Sequence, residues 1–280
     1  MITIDTMPDG YVDIIHHIID NGRSVSPRGQ RTLEVPDVVI KLKNPARALA
    51  LGVGRKLNLS IAAAEAVQLI GGFLDPHLLL SVSKTFAQFM DDGTFWGGYG
   101  ERIQNQVLVA GQKLIMDNDT RQAVVTIWDK DKDNVPGKHD YPCTLSLTFQ
   151  VRDHCLELHT TMRSNDVWLG LPYDIFQFTQ LQITMARALG FGLGAYYHHA
   201  VSLHLYTRDM GKAAEIHKPI GSILNHPLPL GFGRARDVGN QNLFGMLKRA
   251  HMIGTGDIEE LHPSRSEAWY IEKLKDHVGK

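Results

Sequence analysis

Cysteine is scarce in this chain. Only two occur in 280 residues, Cys143 and Cys155, and they are too far apart for a CxxC pair. A disulfide framework is therefore excluded, and the usage suits a reducing compartment. Long apolar runs are also missing: none approaches the roughly 20 residues that cross a bilayer. The N-terminus, MITIDTMPDG, lacks the basic-then-apolar order of a secretory leader. Nor is there an excess of one charge, since 29 Lys and Arg stand against 30 Asp and Glu. That balance gives no electrostatic case for nucleic acid or a membrane surface, and any phosphate binding should be local. We expect a soluble cytoplasmic protein with neither nucleic-acid nor membrane partners.

What is present reads as alternating helices and strands. GYVDIIHHIIDNG and SIAAAEAVQLIGGFL carry helical periodicity and stop at Asn21-Gly22 and Gly71-Gly72. SVSPRGQRTLEV reads as a loop running into a strand. HLLLSVSKTFAQFMDDG reads as a helix, TFWGGYGERI as a glycine-rich binding loop, QNQVLVAGQKLIMDND as a helix and RQAVVTIW as a strand. KDKDNVPGKHD is polar and contains Pro-Gly, which predicts a turn or mobile loop. CTLSLTFQVRD and CLELHTTMRS alternate as paired, half-buried strands do. YDIFQFTQLQITMARALG predicts a long amphipathic helix ending at Gly190, and AYYHHAVSLHLYTRD a further strand. The glycines of GFGLGA follow a helix, not a strand, so they make a weak dinucleotide signal. The tail beyond residue 210 reads as loops with short helices. With no repeat, low-complexity segment or linker, the simplest organisation is one α+β domain over residues 1–280.

The chemistry concentrates around Cys143, which directly follows Pro142 and precedes an alternating strand. A thiol becomes a strong nucleophile where cations favour its thiolate, and Arg163 and Arg121 are candidate cations. Singly, each neighbour has an ordinary structural explanation. Trp96 can be core packing, His204 a satisfied strand histidine and Glu65 a solvent-facing helix residue. Their order is what argues for function. Pro142-Cys143 is followed by RSNDVWLGLPYD, residues 163–174, and then by SLHLY, residues 202–206. This order resembles that of thymidylate synthases and their relatives, the pyrimidine nucleotide hydroxymethylases, strongly over residues 99–206 and loosely elsewhere.

The resemblance implies an α+β fold with a mixed sheet packed by helices, one sheet face forming a homodimer interface. It implies Cys143 as the nucleophile on C6 of a pyrimidine nucleoside monophosphate. 5,10-Methylenetetrahydrofolate would be the co-substrate, and no metal would be needed. Arg28, Arg163 and Ser164 would hold the phosphate, with Arg121 reaching the partner subunit's site. Fork-shaped guanidinium donors suit phosphate. His204 and Tyr206 would bind the sugar hydroxyl. Glu65 would organise proton transfers through water, Tyr99 and Trp96 would line the cavity, and Asp166, Leu169 and Gly170 would meet the folate.

The chain departs from the synthase pattern at Asp174, where synthases carry asparagine. An asparagine amide matches the uracil edge; a carboxyl group accepts from a cytosine amino group and, if protonated, donates to N3. Asp174 therefore points to CMP or dCMP, with Asp as a simple helix N-cap the bland alternative. MRSND and SLHLY are similar to phage deoxycytidylate hydroxymethylases. Gln122 stands where many relatives have a second arginine, and Thr144 where many have histidine. The ending DHVGK lacks the apolar close that seals the synthase site, and a less sealed site admits water, giving hydroxymethyl in place of methyl. Hydroxymethylation of a cytidine monophosphate is the expectation. The alternatives are synthase-type methylation or hydroxymethylation of dUMP, and a catalytically idle nucleotide-binding relative. Nothing visible distinguishes ribose from deoxyribose.

Overall fold

The structure, a computed structural model, describes residues 1–219, 231–233 and 242–278. In chain order its elements are β1 (Ile2–Ile4), α1 (Met7–Asn21), β2 (Arg23–Val25), β3 (Thr32–Leu42), α2 (Leu59–Gly71) and α3 (Pro76–Val82). They continue with α4 (Gly100–Met116), β4 (Val124–Thr126), α5 (Lys130–Asp133), β5 (Thr144–Arg152), β6 (Cys155–Met162) and β7 (Asn165–Asp166). α6 (Leu171–Leu189), β8 (Gly192–Tyr206), α7 (Met210–Ala214), α8 (Leu243–Thr255) and α9 (Arg265–Leu274) complete them.

The strands form one mixed sheet in the order β1-β3-β8-β6-β5-β4, with β2 on β3 and β7 on β8. β5 and β6 pair antiparallel, as their alternation predicts, whereas β6 and β8 run parallel and are linked through α6. The α+β reading holds. β3 runs further than the sequence suggests, through Pro36 to Leu42. Pro36 is accommodated because the strand kinks there: Asp37 has φ 55° and leaves the ladder between the pairs Pro36–Ser202 and Val38–Ala200.

Helix α6 departs from the amphipathic expectation. It is buried nearly all round, Gln177, Gln180 and Gln182 included, because it lies between the sheet and α2. Gln182 Nε2 donates to the carbonyls of Leu156, Gly194 and Ala195, while its Oε1 is buried without a partner. Burying side chains such as Ile175, Phe176, Phe178 and Leu181 contributes about 1.5–3 kcal/mol each. α2 packs against α6 and carries the small, fully buried residues Ala62, Ala63, Ala64 and Ala66. Two helix stops behave as read: Gly72 and Gly190 adopt the left-handed conformation (φ 67° and 78°) and cap α2 and α6.

The helix expected over residues 77–93 is broken. α3 ends at Ser83, whose backbone is extended (φ −160°, ψ 121°), and a 3-10 turn follows over Lys84–Phe89. The polar stretch after Asp129 is not wholly loop, because Asp129 caps the short helix α5 through its side chain. In the tail, α8 and α9 are full helices of 13 and 10 residues. The loops expected over 220–230 and 234–241 lie outside the described residues.

Candidate active site

Cys143 sits half-buried at the entrance to β5, tied to the end of β6 by the bond from Arg163 N to Cys143 O, 2.8 Å. The Arg163 guanidinium folds back over the same turn. Nε donates to Pro142 O and Nη2 to Tyr141 O, each at 3.0 Å, which brings Nη2 to 3.7 Å from the Cys143 sulfur. Burial pushes the thiol up to about 11; Arg163 and Arg28 pull it back, while Asp174 and Asp140 add to the rise. Arg28 is exposed in the Pro27–Gly29 turn with a left-handed backbone (φ 52°, ψ 32°). A non-glycine residue there costs of order 1 kcal/mol, and such strain clusters at functional sites.

Tyr99, at the N-terminus of α4, stacks on Phe178 and accepts a hydrogen bond from Thr144 N at 3.3 Å. Burial holds its hydroxyl protonated, its pKa well above the ordinary tyrosine value. Asp174 opens α6. Its Oδ2 accepts from Asn165 Nδ2 at 2.7 Å and its Oδ1 from Gln177 Nε2 at 3.1 Å. Burial raises Asp174 to about 7 against those two donors, with Asp166 adding to the rise. Glu65, on α2, is raised to about 8 by burial and by the Asp174 charge, and its Oε2 is buried without a partner. The structure therefore brings Cys143, Tyr99, Glu65 and Asp174 together from four separate elements.

Asp166 closes a tight turn: Oδ1 accepts from Trp168 N at 2.7 Å and Leu169 N at 2.8 Å, while Oδ2 is buried and unpartnered. Burial raises its pKa. Leu169 is exposed beside it, and Gly170 caps α6. A Cβ at Gly170 would lie 3.0 Å from both Asn165 Nδ2 and Asp174 Oδ2, so the glycine makes room for that contact. His204 and Tyr206 lie side by side on β8, ring centroids 5.4 Å apart and edge-on, beside β7. Ser164 is half-buried between Arg163 and β7.

Two residues sit differently. Trp96 is tied down by protein groups: its indole N–H donates to Asp133 at 3.1 Å, and Lys138 lies 4.2 Å from its ring centroid. Arg121 is exposed ahead of the edge strand β4 and makes no hydrogen bond or ion pair with any described residue. Asn165 and Gln177, which hold Asp174, are residues that sequence reasoning did not single out; Asn165 lay unremarked inside MRSND. Arg55 is another, donating to Tyr11 Oη at 2.6 Å and lying over Trp168. It lines a cavity with Lys56, Trp168, Lys212, Glu215 and His217. Among the described residues no cluster of His, Cys, Asp and Glu is arranged to hold a metal, and no helix is long and apolar enough to cross a membrane.

A family model described as Thymidylate synthase matches residues 9–219. The chain belongs to the thymidylate synthase family. Within this family it is 35% identical over 219 residues to the deoxyuridylate hydroxymethyltransferase of Bacillus phage SP01, covering 72% of this chain and 57% of that protein. It is 28% identical over 192 residues to the enzyme of the same name from Pseudomonas phage M6, covering 66% and 54%. It is 31% identical over 132 residues to the thymidylate synthase of Bacillus licheniformis, covering 43% and 47%. The chain spans about half the length of these curated relatives. The family match spans α1 through α7, so the cysteine and the polar groups around it all fall within it.

Proposed function

We propose that this family member hydroxymethylates C5 of a cytidine 5′-monophosphate, with 5,10-methylenetetrahydrofolate as the one-carbon donor. The observation that carries the reading is the Arg163 guanidinium 3.7 Å from the Cys143 sulfur, with Asp174 near enough to bear on the same thiol. The folate supplies an electrophilic methylene group. In the residues' terms, Cys143 Sγ bonds to C6 of the base, which makes C5 nucleophilic. C5 takes the methylene carbon and gives up its proton, with tetrahydrofolate released; water adds to the resulting exocyclic carbon, and Cys143 Sγ is then expelled from C6. Arg163, Arg28 and Ser164 bind the phosphate, and His204 with Tyr206 the sugar hydroxyl.

The folate fits the residues present. The unpartnered buried Oδ2 of Asp166 suits an N–H of a pterin ring. The Arg55–Lys56–Lys212 cavity beside Trp168 suits the carboxylates of a folate tail. On this reading Leu169 and Gly170 flank the ring, and Tyr99 and Trp96 line the nucleotide pocket, the Trp96 indole N–H being held by Asp133. Glu65, raised to about 8, can hold or release a proton near neutral pH. Asp174, raised to about 7, can present both a donor and an acceptor to a cytosine edge. We read the chain as one cytoplasmic domain that pairs through its sheet face, with Arg121 serving the partner's phosphate site.

A second reading, hydroxymethylation of dUMP, is favoured by the names of the two phage relatives. One assay separates them. CMP, dCMP and dUMP are each incubated with methylenetetrahydrofolate, and the products are weighed by mass spectrometry. A hydroxymethyl product from a cytosine nucleotide is expected. Turnover of dUMP alone, or a methyl product with dihydrofolate, overturns the proposal.

A further inference from the structure

The Asp174 carboxyl is the end of a buried chain of hydrogen bonds. Tyr196 Oη lies 2.9 Å from His198 Nδ1, and His198 Nε2 lies 3.0 Å from Asn165 Oδ1. Asn165 Nδ2 then donates to Asp174 Oδ2 at 2.7 Å, and Gln177 Nε2 reaches the other oxygen at 3.1 Å. Tyr196 and His198 have no exposed surface, and Asn165 is 3% exposed.

Each link constrains the next. Asn165 turns its amino group to Asp174, so its carbonyl faces His198, and His198 must carry its proton on Nε2 and accept at Nδ1 from the tyrosine hydroxyl. Burial lowers the His198 pKa to about 3, so the ring stays neutral and in this tautomer across the working range. The imidazole N–H thus prevents the amide from flipping. Both Asp174 oxygens already accept one amide proton, so the carboxyl proton takes a lone pair that those amides leave free. The two bonds are unequal. The shorter one keeps Oδ2 the more strongly hydrogen-bonded acceptor, which leaves the proton to Oδ1.

We propose that Asn165, locked by His198 and Tyr196, is a positioning residue for base selection: it places the Asp174 proton on Oδ1 for ring N3 and keeps Oδ2 as acceptor for an exocyclic amino group. The inference rests on the proposed reading that Asp174 meets the base edge. Besides Asn165, Gln177 and Asp166, the ionisable groups whose charges bear on Asp174 or are borne on by it are Glu65, Tyr99, Cys143 and Tyr196.

The test compares kcat/KM for cytosine and uracil nucleotides across pH in the wild type, Asn165→Ala and Gln177→Leu, with thermal melting to confirm folding. In Asn165→Ala the cytosine-to-uracil ratio falls tenfold or more. The pH at which cytosine turnover declines moves up, because a donor to the ionised carboxyl is gone. Gln177→Leu, which frees the other oxygen, keeps the cytosine preference. A folded Asn165→Ala with unchanged ratio and pH limb overturns the inference, as does a Gln177→Leu whose cytosine-to-uracil ratio itself falls tenfold or more. The second criterion still applies if Asn165→Ala does not fold. A wild type that prefers uracil is a different outcome: it refutes the cytosine reading, and a ratio shifted by Asn165→Ala would still show that this amide sets base choice.

Discussion

The guanidinium of Arg163 hangs over the Cys143 sulfur at 3.7 Å while its other hydrogen bonds grip the carbonyls of Tyr141 and Pro142. One side chain thus fixes the turn that carries Cys143 and places a positive charge beside its sulfur. Burial nonetheless holds the thiol at about 11. In a Cys155→Ser background we therefore expect iodoacetamide to alkylate Cys143 at pH 8 about 100-fold more slowly than a free thiol of pKa ~8.5. Arg163→Gln should slow it further, because the cation lowers the pKa. A wild-type rate equal to that of free cysteine would contradict this.

Cys143→Ser should abolish turnover, a loss of at least about 10³-fold, while nucleotide binding by calorimetry persists. Activity that survives the substitution removes the thiol from the mechanism.

Asp174→Asn should shift preference from cytosine toward uracil nucleotides, since an amide pairs with the opposite edge pattern. Mismatching a buried polar edge costs about 1–3 kcal/mol, so steady-state kinetics on both substrates should show a swing of about 10- to 100-fold.

Glu65 offers a test in stability. Its value in the fold is about 8 against an ordinary 4.5, so the folded state binds a proton that the unfolded chain has released. Its contribution to stability is fully present below about pH 4.5 and is lost as pH rises through 8. Glu65→Gln should therefore flatten the decline in melting temperature between pH 5 and pH 8, and melt above the wild type at pH 8, while turnover falls. Parallel pH profiles of melting would show that Glu65 is not held protonated.

The Trp96 loop is anchored by a buried ion pair. Arg102 bonds Asp133 at 2.6 and 3.1 Å and donates to the Ile127 and Trp96 carbonyls. The pair lies under little solvent, with side-chain exposures of 11% and 0%. Asp133→Ala strands a buried guanidinium, which should cost about 3–5 kcal/mol in denaturant unfolding. An effect under about 1 kcal/mol, the scale of surface pairs, would mean that the clamp is not needed.

Some of this was legible in the sequence, because it is local. Alternation marked β5 and β6, and glycines at 72 and 190 ended helices where a left-handed residue was required. The ordered motifs from Cys143 to Tyr206 named the family. Other features were hidden because they depend on neighbours distant in the chain. Nothing local shows that α6 is sandwiched, that Ser83 breaks a helix, or that Trp96 is held by Asp133, 37 residues away.

The sequence by itself determined which groups are available: one thiol after a proline, a set of arginines, and a carboxyl in the first turn of α6. Tertiary structure alone decided their state. The packing of α2 on α6 lets Glu65 feel the Asp174 charge, and Gly170 leaves room where Asn165 meets Asp174. A side chain's identity is covalent, but its charge and its proton's direction are set by burial and by the donors that packing brings within 3 Å.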